Sequence, residues 1–254
     1  MKLEVEGLEF SYQQEKVLEN IELKVDAGQI LGIIGPNGSG KSTLLKCING
    51  ILEPDTGEIW LNGNNLAEFS RNELAQNIGY VPQKENRKFP ANVFDTVLLG
   101  RKPYISWKPT EEDLTIVAEI IDMLCLESIS MRDVNCLSGG QRQKVMIGRA
   151  LAQQPEVMLL DEPTSELDLK HQLEVLNVVK AQVAHGVSAI MAIHDLSLAG
   201  RYCDKVVMLD NGQIFDAGGL EILTPKNIES VYDVKVSIKD HRGSKLVIPE
   251  EPIA

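Results

Sequence analysis

The segment GPNGSGKST, residues 35–43, has the residue types and the spacing of a phosphate-binding loop. The pattern G-x-x-x-x-G-K-[ST] is matched by Gly35, Gly40, Lys41 and Ser42. Glycines let backbone N–H groups turn toward phosphate oxygens, and the start of the following helix adds the positive end of its dipole. We expect Lys41 to reach the β- and γ-phosphates of a nucleotide and the Ser42 hydroxyl to ligate Mg²⁺.

A pair of acidic residues ends the segment VMLLDE, residues 157–162. The four apolar residues before the pair predict a buried strand, which places Asp161 where it can hold the Mg²⁺ shell. Glu162 would then reach the water that attacks the γ-phosphate. Phosphoryl transfer depends on positioned water and on neutralised charge, so this pair beside a phosphate loop predicts hydrolysis.

The segment LSGGQ opens a third candidate site. Ser138 and Gln141 fit the spacing of a capping box at the start of a helix. A cap does not require Gly139 and Gly140, and glycine in a helix costs backbone entropy. We therefore expect another role for these glycines, which is to let their N–H groups approach an anion closely. A second anion-binding turn beside the phosphate loop indicates that two copies of the chain share one nucleotide, each contributing one of the two elements.

Length and composition limit the remaining possibilities. The chain has 254 residues, enough for one large α/β domain with an inserted subdomain. Its formal net charge of −12 argues against general nucleic-acid binding, which needs clustered lysine and arginine. The four cysteines lack metal-ligand spacing and are expected to be free thiols. The N-terminus does not resemble a signal peptide, and no apolar run is long enough to cross a bilayer, so a membrane role needs a partner.

Hydrophobic periodicity predicts an α/β fold. The runs ILGIIG and VSAIMA are typical of strands buried on both faces, and Asn211 with Gly212 predicts a tight hairpin. Residues 84–136 predict a helical insertion, in which TEEDLTIVAEIIDMLCL is an amphipathic helix with acidic residues in its first turn. The predicted division of the single domain is an α/β core, residues 1–83 and 151–254, and a helical subdomain with the LSGGQ motif, residues 84–150.

Taken together, LSGGQ, GPNGSGKST and LLDEP resemble the motifs of the ATP-binding subunit of an ABC transporter. The resemblance implies a P-loop NTPase (RecA-like) core with an N-terminal antiparallel β subdomain and an inserted α-helical subdomain. It also implies ATP and Mg²⁺ as ligands, a homodimer, an integral membrane permease as partner, and an extracytoplasmic substrate-binding protein as an indirect one. The expected location is peripheral, on the cytoplasmic face of the cell membrane, and no nucleic-acid partner is expected.

The resemblance assigns further residues by position. Tyr12 resembles the aromatic residue that stacks on adenine, and Val17 resembles the apolar residue beside it. Gln83 resembles the glutamine that contacts Mg²⁺ and couples to the membrane partner, Asp168 the acid at the dimer seam, and His194 the histidine that contacts the γ-phosphate. The predicted sets are therefore the ATP-binding residues Tyr12, Val17, Gly35, Asn37, Gly38, Ser39, Gly40, Lys41, Ser42, Thr43 and Gln83; the catalytic residues Glu162 and His194; the Mg²⁺ ligands Ser42, Gln83 and Asp161; and the signature residues Ser138, Gly139, Gly140 and Gln141, which act on the nucleotide of the other copy.

Some positions depart from these assignments. Glu166 stands where the family usually carries a small or apolar residue, and it adds a charge near the seam. The remaining histidines are expected to be structural; they are His171, His185 and His241.

The cargo is less sharply defined than the ATPase. The segments GRKPYISW and HDLSLAGRYCDKVVMLDNGQI most resemble importer ATPases for iron–siderophore complexes, haem or cobalamin. A molybdate importer of the same architecture stays open, as does a cytosolic ATPase of the same superfamily that helps assemble iron–sulfur clusters. We expect the permease to dock on residues 84–136, with Gln83 at the entrance of this insertion. The expected aromatic anchors are Phe89, Phe94, Tyr104 and Trp107.

Overall fold

The structure is a computed structural model, and it describes residues 1–83, 91–165 and 167–253. Phe89 and Glu166 lie outside these ranges. The strands are β1 (Leu3–Tyr12), β2 (Glu15–Val25), β3 (Ile30–Ile34), β4 (Thr56–Leu61), β5 (Asn64–Asn65), β6 (Ile78–Val81), β7 (Val157–Asp161), β8 (Ser188–Ala192), β9 (Lys205–Asp210), β10 (Gln213–Gly218), β11 (Val234–His241) and β12 (Ser244–Pro252). The α-helices are α1 (Lys41–Ile48), α2 (Arg71–Asn77), α3 (Val93–Leu98), α4 (Glu111–Met123), α5 (Gly139–Ala152), α6 (Leu169–Ala184), α7 (Leu196–Tyr202) and α8 (Pro225–Tyr232).

A six-stranded sheet forms the centre of the molecule, with the strand order β10-β9-β3-β8-β7-β6. The pairs from β9 to β6 are parallel, whereas β10 returns antiparallel to β9. Every residue of β3, β7 and β8 is buried, as expected of strands covered on both faces. Because parallel strands end at one edge, the residues that follow β3, β6, β7 and β8 meet there.

A second sheet is antiparallel and has the order β2-β1-β4-β5. Its buried side chains, among them Leu3, Val5 and Leu8, pack in one cluster with Leu31 and Ile33 of the central sheet. The antiparallel β subdomain predicted from the sequence is therefore confirmed.

The hairpin predicted at Asn211 and Gly212 is present. Asn211 and Gly212 join β9 to β10 with φ angles of 46° and 79°, the left-handed pair that a type I′ turn requires. The chain closes with the hairpin β11–β12. Among the described residues, all four cysteines are free thiols.

Helices α3, α4 and α5 lie between β6 and β7 in the chain and share one hydrophobic core. The buried residues of α3, α4 and α5 include Val97, Val117 and Val145, which belong to the same hydrophobic cluster. Thr110 caps α4 and Asp113 completes a capping box, in agreement with the acidic first turn. Helix α5 ends at Ala152, so it crosses the predicted boundary between residues 150 and 151. No helix in the described ranges is both long and apolar enough to span a membrane.

A buried ion pair ties these helices together. The Arg101 Nε atom lies 2.9 Å from Asp113 Oδ1, and both side chains are buried. The guanidinium also donates to the Ala152 carbonyl at 2.8 Å and lies 4.0 Å from the centre of the Tyr104 ring. Hydrogen bonds from the Thr110 backbone and from Arg101 hold the pKa of Asp113 below its usual value.

Replacing Arg101 with alanine would leave the Asp113 carboxylate buried without its cation. We expect Arg101→Ala to lower the free energy of unfolding by about 3–5 kcal/mol at neutral pH, as measured by urea denaturation. A lowered folded pKa adds stability above the unfolded pKa and loses it as the pH falls through the folded pKa. The difference in the free energy of unfolding between Arg101→Ala and the wild type should therefore become smaller at acidic pH. Exposed Arg132 is the matched control, and Arg132→Ala should change stability by less than about 0.5 kcal/mol. Equal losses in the two variants would contradict a special role for the buried pair.

Candidate functional site

The glycine loop between β3 and α1 has a backbone that only glycine can adopt at one critical point. The φ angle of Gly35 is +152°, and a Cβ atom there would lie 2.0 Å from the carbonyl oxygen of Leu209. Gly38 and Gly40 also have positive φ angles, of 84° and 103°. The loop therefore turns tightly where it passes β9. The N–H groups of the loop then lie next to the start of α1.

The loop has donors that fit an anion. Helix α1 begins after Gly40 without a side-chain cap from any described residue, so its first N–H groups are not occupied by a side chain. The Ser39 hydroxyl is buried and has no hydrogen-bond partner in the described part of the chain. A buried polar group without a partner is costly, and a phosphate against this loop would supply the missing acceptor.

Lys41 brings a cation into the same loop. Its side chain is buried, and Nζ donates to the carbonyl oxygens of Gly35 at 2.9 Å and Pro36 at 2.7 Å. Burial lowers the pKa of Lys41, while the charges of Glu162 and Asp161 oppose that shift. The ammonium group is thus fixed beside the loop by two carbonyl groups.

Asp161 and Ser42 form a pair of oxygen donors at the end of β7. The Ser42 hydroxyl donates to Asp161 Oδ1 at 2.7 Å, and the Tyr80 hydroxyl donates to Oδ2 at 3.4 Å. Burial raises the pKa of Asp161, and the hydrogen bond from Ser42 opposes that shift. Mg²⁺ that is bound together with nucleotide phosphates usually takes only one or two oxygen ligands from the protein. One carboxylate and one hydroxyl group fit this pattern.

Glu162 lies where the ends of β6, β7 and β8 come together. Its φ angle of +50° is unusual for a residue with a side chain, and its N–H donates to the Ala192 carbonyl at 3.2 Å. Gln83 Nε2 donates to Glu162 Oε2 at 2.5 Å, and His194 Nε2 lies 2.5 Å from Oε1. Residues that follow β6, β7 and β8 therefore converge on one carboxylate, which the sequence predicts only as separate motifs.

A cavity of about 160 Å³ separates the loop from Glu162. The cavity is open to solvent on one side, so a phosphate chain can lie against the loop while the rest of a nucleotide extends outward. Tyr12 is exposed at the end of β1, edge-on to Phe10 with ring centres 4.8 Å apart. The lining residues are Val17, Asn37, Gly38, Gly40, Lys41, Ser42, Thr43 and Glu162.

The LSGGQ turn starts α5 and is capped as predicted. The Ser138 hydroxyl accepts from the Gln141 N–H at 3.3 Å, and the Gln141 side chain accepts from the Ser138 N–H at 3.2 Å. Ser138 and Gly139 are exposed, whereas Gly140 is buried. Among the described residues, those that line the cavity beside Lys41 do not include this turn.

Asp168 and His171 have contacts that the sequence analysis does not anticipate. Asp168 caps α6, because its Oδ1 accepts from the His171 N–H at 2.9 Å. His171 Nδ1 lies 2.7 Å from the same oxygen. A Cβ atom on Gly140 would lie 2.3 Å from the His171 ring, so close approach to an anion is not the only reason for glycine there. The Asp-x-x-His spacing at a helix start is a local signal that predicts the cap but not the contact with α5.

The predicted aromatic anchors have different surroundings. Phe94 is half-buried against the main hydrophobic cluster, so part of its side chain belongs to the core. The Tyr104 hydroxyl donates to the Gln153 carbonyl at 2.8 Å, and Trp107 is 92% exposed.

A groove of about 620 Å³ lies beside Tyr104, between the core and the helices that follow β6. Two of its residues, Ile51 and Leu99, are exposed apolar side chains. The lining residues are Asn49, Gly50, Ile51, Arg71, Leu74, Ala75, Ile78, Tyr80, Leu99, Gly100, Arg149, Ala150 and Gln153.

Comparison with known proteins connects this geometry to one family. Residues 18–165 match the family model described as ABC transporter. An uncharacterised ABC transporter ATP-binding protein of Methanocaldococcus jannaschii is 45% identical over 250 residues, which are 98% of each chain. A hemin import ATP-binding protein of Thermobifida fusca is 38% identical, with 94% of this chain and 85% of the relative covered. A cobalamin import ATP-binding protein of Halobacterium salinarum is 37% identical, with 94% and 60% covered.

Solved structures agree with the sequence relatives. A protein described as a metal-chelate type ABC transporter, in an inward-facing conformation, superimposes with a TM-score of 0.85 at 31% identity. The match covers 98% of this chain and 97% of that one. An ATP-binding cassette solved as a dimer in a post-hydrolysis state, bound to ADP and Pi, superimposes with a TM-score of 0.76 at 28% identity, covering 86% and 98%.

Proposed function

This chain belongs to the ABC transporter family and is an ATPase of that family, and we propose that it is the ATP-hydrolysing subunit of an importer. In this proposal two copies bind a membrane permease on the cytoplasmic face and drive uptake by closing on ATP. The observation that carries the proposal is the Glu162 carboxylate, which Gln83 and His194 hold across the cavity from Lys41.

The phosphates of ATP would lie against the loop of residues 35–43. Its open N–H groups at the start of α1, the unpartnered Ser39 hydroxyl within the described chain and the Lys41 ammonium all fit an anion. Ser42 and Asp161 are oxygen donors that would hold Mg²⁺, and Gln83, whose amide contacts the adjacent residue Glu162, is the third proposed ligand. When bound, Mg²⁺ neutralises charge on the β- and γ-phosphates.

Glu162 would act on the water that attacks the γ-phosphorus. The carboxylate accepts a proton from this water as the new P–O bond forms and the bond to the β–γ bridging oxygen breaks. The proton then passes to the released phosphate, and the other product is ADP. Gln83 and His194 donate to the two oxygens of Glu162, so they orient the carboxylate. Tyr12 and Val17 would contact the adenine and ribose end of the nucleotide.

The LSGGQ turn would complete the site of the other copy. It begins a helix with a neutral serine cap and exposed Ser138 and Gly139, which suits a phosphate from outside its own chain. The cavity beside Lys41 is open to solvent, and the turn of the other copy would cover its open side. Asp168 and Leu169 are also exposed, and they are the proposed contacts at the seam between copies.

The proposed cargo is an iron–siderophore complex, haem or cobalamin. Support comes from relatives named for hemin and cobalamin import and from the structural similarity to a transporter described as metal-chelate type. A substrate-binding protein outside the membrane would deliver this cargo to the permease. The ATPase subunit itself would not touch it.

The permease would dock in the groove that contains Ile51 and Leu99. These two apolar side chains are 54% and 58% exposed, and they lie where the proposed core, residues 1–83 and 151–254, meets the proposed helical subdomain, residues 84–150. Gln83 lies just before that subdomain, so a change at Glu162 can move the groove. Two exposed apolar side chains that line one groove are typical of an interaction site.

The proposed hydrolytic role predicts separable effects of two substitutions. Glu162→Gln should lower turnover by about 10²-fold or more and keep ATP binding, because the amide has the same shape but cannot accept the proton. The variant should accumulate as an ATP-bound dimer in light scattering. Lys41→Ala should instead remove most nucleotide affinity in titrations. Lys180→Ala, at an exposed lysine of α6, is the control and should behave as wild type. Turnover by Glu162→Gln at the wild-type rate would overturn the role of Glu162.

Sharing of the site between copies predicts complementation. Gly139→Asp should leave ATP binding to the monomer intact and abolish hydrolysis, because the new carboxylate would face the γ-phosphate of the other copy. Aspartate is favoured in the first turn of a helix, so α5 should stay folded. Mixed with Lys41→Ala chains, this variant forms dimers with one intact composite site, and part of the ATPase activity should return. Loss of ATP binding by the Gly139→Asp monomer would show that the turn serves its own chain.

The docking groove predicts loss of coupling without loss of ATP binding. The double variant Ile51→Asp/Leu99→Asp should fold and bind ATP, but it should not co-purify with the permease or support uptake into vesicles, because the apolar contact is replaced by charge. Phe215 is an exposed apolar residue on β10, at the opposite edge of the central sheet, and Phe215→Asp is the matched control. Normal co-purification of the double variant would place the docking surface elsewhere. Purification of the wild type with soluble assembly proteins instead of a permease would overturn the importer proposal.

A further inference from the structure

We propose that His171 is a positioning residue for the LSGGQ turn, holding Gly140 in place and joining it to the start of α6. The inference rests on the proposed function, in which this turn meets the nucleotide of the other copy. The turn is held within its own chain by His171, a histidine that the sequence predicts to be structural. Through this contact His171 would affect ATP hydrolysis indirectly.

Gly140 is a glycine because of the His171 ring. Its backbone belongs to α5, where any residue is sterically allowed. A Cβ atom at Gly140, however, would lie 2.3 Å from both Cγ and Cδ2 of His171 and 2.9 Å from its Cβ. Real Cβ atoms do not approach so closely, so the ring and a side chain at position 140 exclude one another.

The ring itself is held from the other side. Asp168 Oδ1 lies 2.7 Å from His171 Nδ1 and also accepts the His171 N–H at 2.9 Å, so a single oxygen fixes both the backbone and the ring. These hydrogen bonds hold the pKa of Asp168 below its usual value. Further along the two helices, Lys144 Nζ of α5 lies 2.7 Å from Glu174 Oε2 of α6, which joins the helices a second time.

These contacts make a continuous path from the seam to the turn. Asp168 is exposed at the proposed seam, His171 connects it to Gly140, and Gly140 is the neighbour of exposed Gly139. A movement of Asp168 when two copies meet would move the ring, and the ring would move the turn. His171 would therefore set the position of the turn without touching the nucleotide.

A compensation experiment separates this role from the alternative, in which Gly140 is small only to let a phosphate approach. In the full chain, Gly140→Ala should lower kcat for ATP by about tenfold or more, because the methyl group meets the ring. His171→Ala should lower kcat less and leave KM for ATP unchanged. The double variant Gly140→Ala/His171→Ala should be about tenfold more active than Gly140→Ala, since the space left by the ring accepts the methyl group.

A second readout follows assembly directly. In the Glu162→Gln background, Gly140→Ala should weaken the ATP-dependent dimer in light scattering, and addition of His171→Ala should restore it. His171→Gln, which keeps a side chain of similar reach and a donor for Asp168, should retain most of kcat. His185→Ala is the matched control, because His185 is exposed at the other end of α6 and should leave kcat unchanged.

The outcomes distinguish the inference from the proposed function. A double variant as inactive as Gly140→Ala, or a Gly140→Ala variant as active as wild type, would overturn the role of His171. Failure of the unaltered chain to bind ATP or to dimerise with it would instead overturn the proposed function. In that case the contact is still measured by thermal unfolding, in which Gly140→Ala should lower the melting temperature and His171→Ala should restore part of the loss.

Discussion

The site depends on the parallel pairing of β3, β8, β7 and β6. Their registers place the ends of all four strands at one edge, so residues far apart in the chain come within hydrogen-bond distance. Glu162 shows the result, because Gln83 and His194 reach its two oxygens from the strands on either side. A shift of one strand by one residue would turn its side chains to the other face and separate these groups.

Burial shifts the pKa values of two charged groups at this edge in opposite directions. Lys41 and Asp161 are both buried, and burial disfavours the charged form of each, lowering one pKa and raising the other. Each is stabilised by groups that the fold supplies, which are two loop carbonyls for Lys41 and the Ser42 hydroxyl for Asp161. A negatively charged ligand in the loop would add a partner for Lys41, and a divalent cation would do the same for Asp161. A ligand that brings both phosphate and a divalent cation would therefore stabilise both groups.

Local motifs made much of this predictable from the sequence. The glycine loop, the acidic pair at the end of β7 and the Ser138 capping box depend on neighbours within a few residues, and the structure has them where the pattern places them. The contact of His171 with Gly140 joins two helices that are separated by β7 and a loop, and no spacing along the chain encodes it. The same is true of the groove, whose walls come from segments as distant as Ile51 and Leu99, and of Phe94, whose half-buried position follows from helix packing.

The starts of helices α6 and α7 differ from the start of α1 in how they would receive a phosphate. Helix α6 follows β7 and α7 follows β8, and each is capped by a carboxylate, from Asp168 and Asp195. A carboxylate at a helix start already occupies the N–H groups and repels another anion. Helix α1 follows β3 and, within the described residues, has neither a side-chain cap nor an acidic residue in its first turn. Helix α5 has a neutral serine cap and likewise no acid in that turn among the described residues, and its residues do not line the cavity of its own chain. The neutral starts of α1 and α5 are therefore both able to face phosphate, and because they do not line one cavity within a chain, in our proposal they meet the same phosphate across two chains.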